Sequence, residues 1–250
     1  MTELALFQTG AVELPRSFSA PWLPAREGEA KALHPVWSAL VRTPEGAVLF
    51  DTGLHPVHIA RPDATFGPRA GLRVIMRAED AILSRLAALG VRPDDVAVVV
   101  NSHLHFDHAG NNGAFPSATF IVQRDHLAYA RGKPGFPGVY WDIPGLRYIP
   151  VEGRTPVAPG VEVVPTPGHA PGHQSLVVDI VETGRVVLCG DAAFTRENLE
   201  RGEAPQPDAA SAARSLALIV TLVGGDLDRA FPSQDARSWE SWRKAPDVYR

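Results

Sequence analysis

Runs of apolar, mostly β-branched residues recur along the chain, each bounded by Gly, Pro or Asp. They occupy residues 36–42, 47–51, 96–101, 119–122, 161–165, 175–180 and 186–190, and their length and boundaries predict short strands. Thr43-Pro44-Glu45-Gly46 reads as a hairpin turn between the first two. Residues 96–100 are apolar without alternation, as expected of a strand covered on both faces. A different period appears at 79–89, where positions 82, 83, 86 and 89 are apolar and Gly90 follows. This predicts a helix with a glycine at its C-terminal end. Residues 208–223 are alanine-rich, with Asp208 as N-cap and Gly224-Gly225 beyond the end, which predicts a second helix. A third follows Asp235 and carries Trp239 and Trp242 one turn apart. It is either a docking face or, more commonly for such helices, a terminal helix packed on the core.

Strands interspersed with helices predict an α/β fold in which helices cover sheets. Two stretches, 15–32 and 132–145, are rich in loop-forming residues. Neither reads as a domain boundary, because strand-like runs resume after each, so a single domain over 1–250 is expected.

Composition narrows the function classes. Of 250 residues, 45% are hydrophobic and 21% charged, which is ordinary for a globular protein and excludes disorder over most of the chain. The net charge of −4 argues against an electrostatic nucleic-acid binder. No apolar run approaches the ~20 residues of a membrane helix. Residues 1–7 lack the basic and long apolar regions of a secretion signal. A cytoplasmic protein, monomeric or homodimeric, with neither nucleic-acid nor membrane partner, is expected. The single cysteine, Cys189, cannot form an intramolecular disulfide or a cysteine-based zinc knuckle. Buried at a strand end, it reads as a small hydrophobe rather than a nucleophile.

The chemistry lies in the histidines. Three of the nine fall within six residues, His103-Leu104-His105-Phe106-Asp107-His108, directly after the apolar run 96–100. A sheet holds such a segment rigidly while its side chains emerge into a loop. His103 and His105 alternate around Leu104 and can face one point, with Asp107 and His108 beside them. Imidazole with carboxylate suits Zn, and also Mn, Fe or Co. Either one metal takes most of the set or two adjacent metals share it. A second cluster, Thr166-Pro167-Gly168-His169-Ala170-Pro171-Gly172-His173, follows the run 161–165. One of its histidines can close a metal's shell and the other can orient a ligand by hydrogen bonding. A third, Cys189-Gly190-Asp191, ends the run 186–190, and its carboxylate can bridge two cations. Trp22, Phe66, Phe136 and Trp141 lie in loop-like stretches. They read as packing aromatics or as the lining of an apolar pocket. His34, His55, His58 and His126 read as surface residues or as supports behind the metal ligands.

His103-Leu104-His105-Phe106-Asp107-His108 resembles the HxHxDH signature of the metallo-β-lactamase superfamily. Asp51-Thr52-Gly53 resembles its early DTG turn, 166–169 its TPGH motif, and Gly190-Asp191 its bridging aspartate. Within the superfamily the chain is most similar to the N-acyl-homoserine lactone lactonases, over 102–110 (SHLHFDHAG), 121–124 (IVQR), 166–176 (TPGHAPGHQSL) and 191–200 (DAAFTRENLE). The resemblance spans 36–235. It implies a four-layer αβ/βα sandwich, one or two zinc ions, and a small-molecule lactone or ester substrate. It implies that His103, His105 and His169 hold a first metal, that Asp107 and His108 hold a second, and that Asp191 bridges them. His173 is left a structural role.

Two positions depart from the family pattern. Gln234 stands where a histidine ligand belongs, and Phe194 stands where the lactonases carry a tyrosine that positions substrate. A glutamine carbonyl is a weaker zinc ligand than imidazole, and Phe donates no hydrogen bond. The implied reaction is hydrolysis of a lactone, most closely an N-acyl-homoserine lactone, by a metal-bound hydroxide. Asp107 would pass a proton to the departing alkoxide. The alternatives are a metallo-hydrolase of another ester, thioester or phosphoester, or a weakly active metal-binding relative.

Overall fold

Leu4, Ala5, Leu6 and Phe7 are all buried, because the strand that carries them lies between two apolar layers. The computed structural model describes residues 1–67 and 71–250. Its first sheet contains β1 (Glu3–Pro15), β2 (Lys31–Thr43), β3 (Gly46–Phe50), β4 (Arg73–Ile75), β5 (Val96–Val100), β6 (Thr119–Gln123) and β7 (Arg147–Val151). Their order is β4-β1-β2-β3-β5-β6-β7. The second contains β8 (Thr155–Ala158), β9 (Val161–Pro165), β10 (Gln174–Ile180), β11 (Gly184–Gly190) and β12 (Ala230–Pro232), ordered β12-β11-β10-β9-β8.

The two sheets face each other. Leu6, Trp37, Val41 and Phe50 of the first pack with Val163, Leu176, Val178 and Leu188 of the second. The outer face of the first sheet is closed by the helix Ile82–Ala88, whose Ile82 and Leu86 pack on Phe7, Leu40 and Leu49. The outer face of the second is closed by the helix Ala209–Leu222, whose Leu216 and Ile219 pack on Val164, Val177 and Val187. Helix, sheet, sheet, helix is the four-layer αβ/βα sandwich expected. Among the described residues no helix is long and apolar enough to cross a membrane.

Several local expectations are revised. The predicted helix at 79–89 is a single 3-10 turn at 78–80 followed by the helix Ile82–Ala88. Asp80 accepts from the Arg77 main chain at 2.9 Å and from Arg85 Nη2 at 2.6 Å, so it closes one turn and anchors the next. The strand at 96–100 is not fully covered, since Ala97 is exposed beside the Gly46 hairpin. β1 carries no alternating pattern in its sequence, because it is buried on both faces. Trp239 and Trp242, on and just after the helix Ala236–Ser241, pack against Trp37 at ring distances of 6.3 and 5.8 Å. Both are partly buried and pack against the core between the sheets.

Candidate metal centre

The site forms where four strand ends converge, one from the first sheet and three from the second. His103 to His108 follow β5 and close into a tight turn, in which the His108 and Ala109 N–H groups donate to the His105 carbonyl at 3.1 and 2.9 Å. His169 lies between β9 and β10, Asp191 follows β11, and Gln234 follows β12. Residues 51–53 dock on the β5 loop. The Thr52 N–H donates to the His108 carbonyl at 2.7 Å, and Asn111 Nδ2 donates to the Thr52 and Leu54 carbonyls at 2.7 and 2.8 Å. Gly53 makes this approach at φ +67, where a Cβ would collide with Thr9.

Two groups of donor atoms result. One ligand atom each from His103, His105, His169 and Asp191 lies within 4.8 Å of the others. His105 Nδ1 is 2.8 Å from His103 Nε2 and 3.1 Å from His169 Nε2, and Asp191 Oδ2 is 3.3 Å from His169 Nε2. The other oxygen, Asp191 Oδ1, lies 3.2 Å from His108 Nε2, which is 3.6 Å from Asp107 Oδ2. The carboxylate of Asp191 thus presents one oxygen to each group.

The residues behind these donors set which atoms face inward. Ser102 Oγ contacts His103 Nδ1 at 3.0 Å and Gln206 Oε1 contacts His169 Nδ1 at 2.9 Å, so both Nε2 atoms turn to the site. Gln206 Nε2 also donates to the Asp191 carbonyl at 2.6 Å. His173 Nε2 accepts from the Asp191 N–H at 3.0 Å. His126 joins the two histidine loops. Its Nε2 accepts from the Leu104 N–H at 2.9 Å and its Nδ1 faces the Pro171 carbonyl at 2.8 Å. Phe136 stacks on the His105 ring at 4.3 Å.

The electrostatics match a cation site. Burial, reinforced by neighbouring imidazoles, holds His103, His105 and His173 well below the ordinary histidine range, and burial lowers His169. These rings are neutral, the form that binds metal. Burial opposes charge on His108, but Asp191, Asp107 and Asp51 together outweigh it and raise its pKa well above the ordinary value. Burial would raise Asp191 too, yet His108 and His169 drive it far below the usual carboxylate range. Burial pushes Asp107 up to about 6, with Asp191 adding to the rise and His108 opposing it. His108 Nε2, Asp191 Oδ1 and Gln234 Oε1 are buried with no hydrogen-bond partner. Buried polar atoms are rarely left unpaired, and lone pairs of these types converging on one place fit a divalent cation.

The chain matches the metallo-beta-lactamase superfamily model over residues 32–245. It belongs to the metallo-beta-lactamase superfamily. An N-acyl homoserine lactonase of Bacillus cereus is 39% identical over 168 residues, covering 66% of this chain and 67% of the relative. A solved structure of a Bacillus thuringiensis AiiA mutant, with N-decanoyl-L-homoserine bound at its active site, superposes with a TM-score of 0.90 at 32% identity over 98% of both chains. An N-acyl homoserine lactone hydrolase with N-hexanoyl-L-homoserine at its catalytic metal centre gives a TM-score of 0.89 at 33% identity, again over 98% of both chains.

A cavity of about 240 Å³ opens over this superfamily site. Its floor carries His105, Asp107, His169, Asp191 and Gln234, and its walls carry Val12, Leu14, Phe18, Phe66, Leu72 and Phe106. Of the four loop aromatics, Phe66 is in this wall, against Phe106 at 5.0 Å. Phe136 props His105, Trp141 is buried in the core, and Trp22 lies under the Arg201 guanidinium at 4.4 Å. Phe194 is buried behind the floor, its ring 5.7 Å from His169 and 4.8 Å from Phe18. His34, His58 and His126 are buried rather than superficial, and His55 is half-buried beside Tyr140. The roles of Asp51, Gln206 and His126 carry no sequence signature of their own beyond the DTG turn. Cys189 is fully buried and its thiol is pushed up by burial, which makes it unreactive.

Proposed function

We propose that this chain is a metal-dependent lactonase that opens the ring of N-acyl homoserine lactones. The observation that carries the reading is an Asp191 carboxylate shared by two donor groups on the floor of an apolar-walled cavity. A polar floor under an apolar wall suits a substrate with a polar ring and a hydrocarbon tail. The relatives named above support the same substrate class.

His103, His105 and His169 would hold one metal, Asp107 and His108 the other, with Asp191 between them and Gln234 beside the second. We expect zinc, one or two ions per chain, with Mn, Fe or Co suited to the same donors. Bound there, a divalent ion supplies Lewis-acid polarisation of the carbonyl and makes water acidic enough to attack at neutral pH.

The protein's own groups supply the rest. Walls formed by Phe18, Phe66 and Phe106 hold the acyl chain and exclude water. Water adds to the lactone carbonyl carbon, the ring C–O bond breaks, and the leaving oxygen takes a proton. Asp107 stands on the cavity floor to carry that proton. The products are one carboxylate and one hydroxyl on the same molecule. Phe194 contributes a rigid apolar backing to His169 and donates no hydrogen bond to substrate.

The test is to incubate the purified, metal-supplemented protein with N-hexanoyl and N-decanoyl homoserine lactones and follow the products by mass spectrometry. Addition of one water, reversed when acid recloses the ring, is the expected result. Release of free fatty acid would mean amide cleavage. No turnover of lactones, with turnover of a thioester or phosphoester panel, would assign the site to another hydrolase.

A further inference from the structure

One more buried donor lies in a cavity wall shared with Gln234. His34, near the start of β2, is only 4% exposed, and its Nε2 has no hydrogen-bond partner. Gln234 is 5% exposed and its Oε1 is equally without a partner. The two come from distant parts of the chain. β2 meets the residues after β12 where Trp37 Nε1 donates to the Pro232 carbonyl at 3.2 Å. There His34 and Gln234 line one cavity, and the Asp191 carboxylate acts on the His34 ring against the burial that lowers its pKa.

The strand register gives the same direction. His34 pairs with Val12 of β1, so the two side chains leave the sheet on one face. Val12 lines the cavity over the metal site. Phe18, another wall residue, meets the His34 ring edge-on at 5.7 Å. A buried imidazole nitrogen without a partner is costly, and a divalent cation is a partner that its lone pair suits.

We propose that His34 supplies the second metal position with an imidazole that Gln234 does not provide. The ligand role is moved from the loop after β12 to β2, and the two elements are packed together so that the substitution is local in space. The second ion is then held by His34, His108, Asp107 and Asp191, with the Gln234 carbonyl adjacent. The inference rests on the two-metal form of the lactonase reading.

The test measures metal rather than turnover. Wild type, His34→Ala, His34→Asn and Gln234→Ala are purified from metal-supplemented medium without chelator, together with a double variant that combines His34→Ala and Gln234→His. Metal per chain is read by inductively coupled plasma mass spectrometry, the cobalt forms are compared by absorption, and thermal unfolding reports folding. Wild type should carry about two ions and each single His34 variant about one, with the second ion bound at least about 10-fold more weakly; Gln234→Ala should weaken the second ion less than either His34 variant does. The double variant should recover the second ion. His34→Asn keeps a polar side chain of similar bulk and answers the question if His34→Ala does not fold. Full metal content and an unchanged cobalt spectrum in the His34 variants would overturn the proposal. So would a wild type with a single ion, even if it cleaves lactones, in which case the lactonase reading stands. A two-metal wild type that leaves lactones intact would defeat the lactonase reading alone.

Discussion

His108 Nδ1 lies 2.8 Å from Asp51 Oδ2, and this contact turns the opposite nitrogen, Nε2, toward Asp191. Asp51 is itself held by the Ser102 N–H and Oγ, both at 2.7 Å. It adopts φ 56, uncommon for a residue other than glycine. A carboxylate behind a histidine fixes its tautomer and raises its basicity. Asp51→Asn tests this cleanly, because Asn tolerates the left-handed backbone. Affinity for the second ion should fall about 10- to 100-fold, measured by competition with a chromogenic chelator. An unchanged affinity would remove Asp51 from the metal site.

Each of His103→Ala, His105→Ala and His169→Ala removes a donor from the tightest group. Metal uptake at the first position should be lost, and lactone turnover should fall by more than the roughly 100-fold expected of an outer partner. Metal analysis and initial rates on variants with unaltered circular dichroism check both. Wild-type rates in any of them would sink the ligand assignment.

His126 gives the metal-free protein a defined acid sensitivity. Burial lowers its pKa to about 4, against an ordinary value of 6.5. Above pH 6.5 the ring is neutral in both folded and unfolded chains and costs nothing. Between pH 6.5 and 4 only the unfolded chain takes up the proton, so stability falls as pH falls, by about 3 kcal/mol in all. Below pH 4 this contribution levels off. Urea unfolding at pH 7.5 and 4.5 should show a smaller acid loss in His126→Asn than in wild type. Parallel losses would contradict this.

Gly190 precedes Asp191 at φ +54, where a Cβ would stand 2.7 Å from Ser102 Cβ and 2.8 Å from His173 Nε2. Gly190→Ala should cost about 2–4 kcal/mol, combining backbone strain with a forced shift of His173. Gly202→Ala, at φ +68 with open space around it, should cost only the backbone part, about 1–2 kcal/mol. Equal shifts in the urea midpoint would refute the steric argument.

Residues close in sequence made most of the centre readable. His103, His105, Asp107 and His108 lie within one tight turn, so their spacing alone brings their donors near each other. Gly190-Asp191 and the loop at 166–173 carried motifs that said the same. The strands were legible where one face is polar or a turn residue closes the run, and less so at β1, whose two covered faces leave no alternation. The buried state of His34, the Gln206 bridge from His169 to Asp191, and the His126 link between loops had no local signal. Each depends on a partner at least 15 residues away.

The amino-acid order settles which donors exist, their spacing inside each loop, and that a histidine is missing at Gln234. Those are properties of side-chain chemistry and of turns a few residues long. Which loops meet is decided by the packing of two sheets through Leu6, Trp37, Leu176 and Leu188. Burying that shared apolar surface puts the ends of β5, β9, β11 and β12 side by side. It also strips water from Asp191, His108 and His34, and leaves a polar atom of each buried and unpaired, because no solvent reaches them.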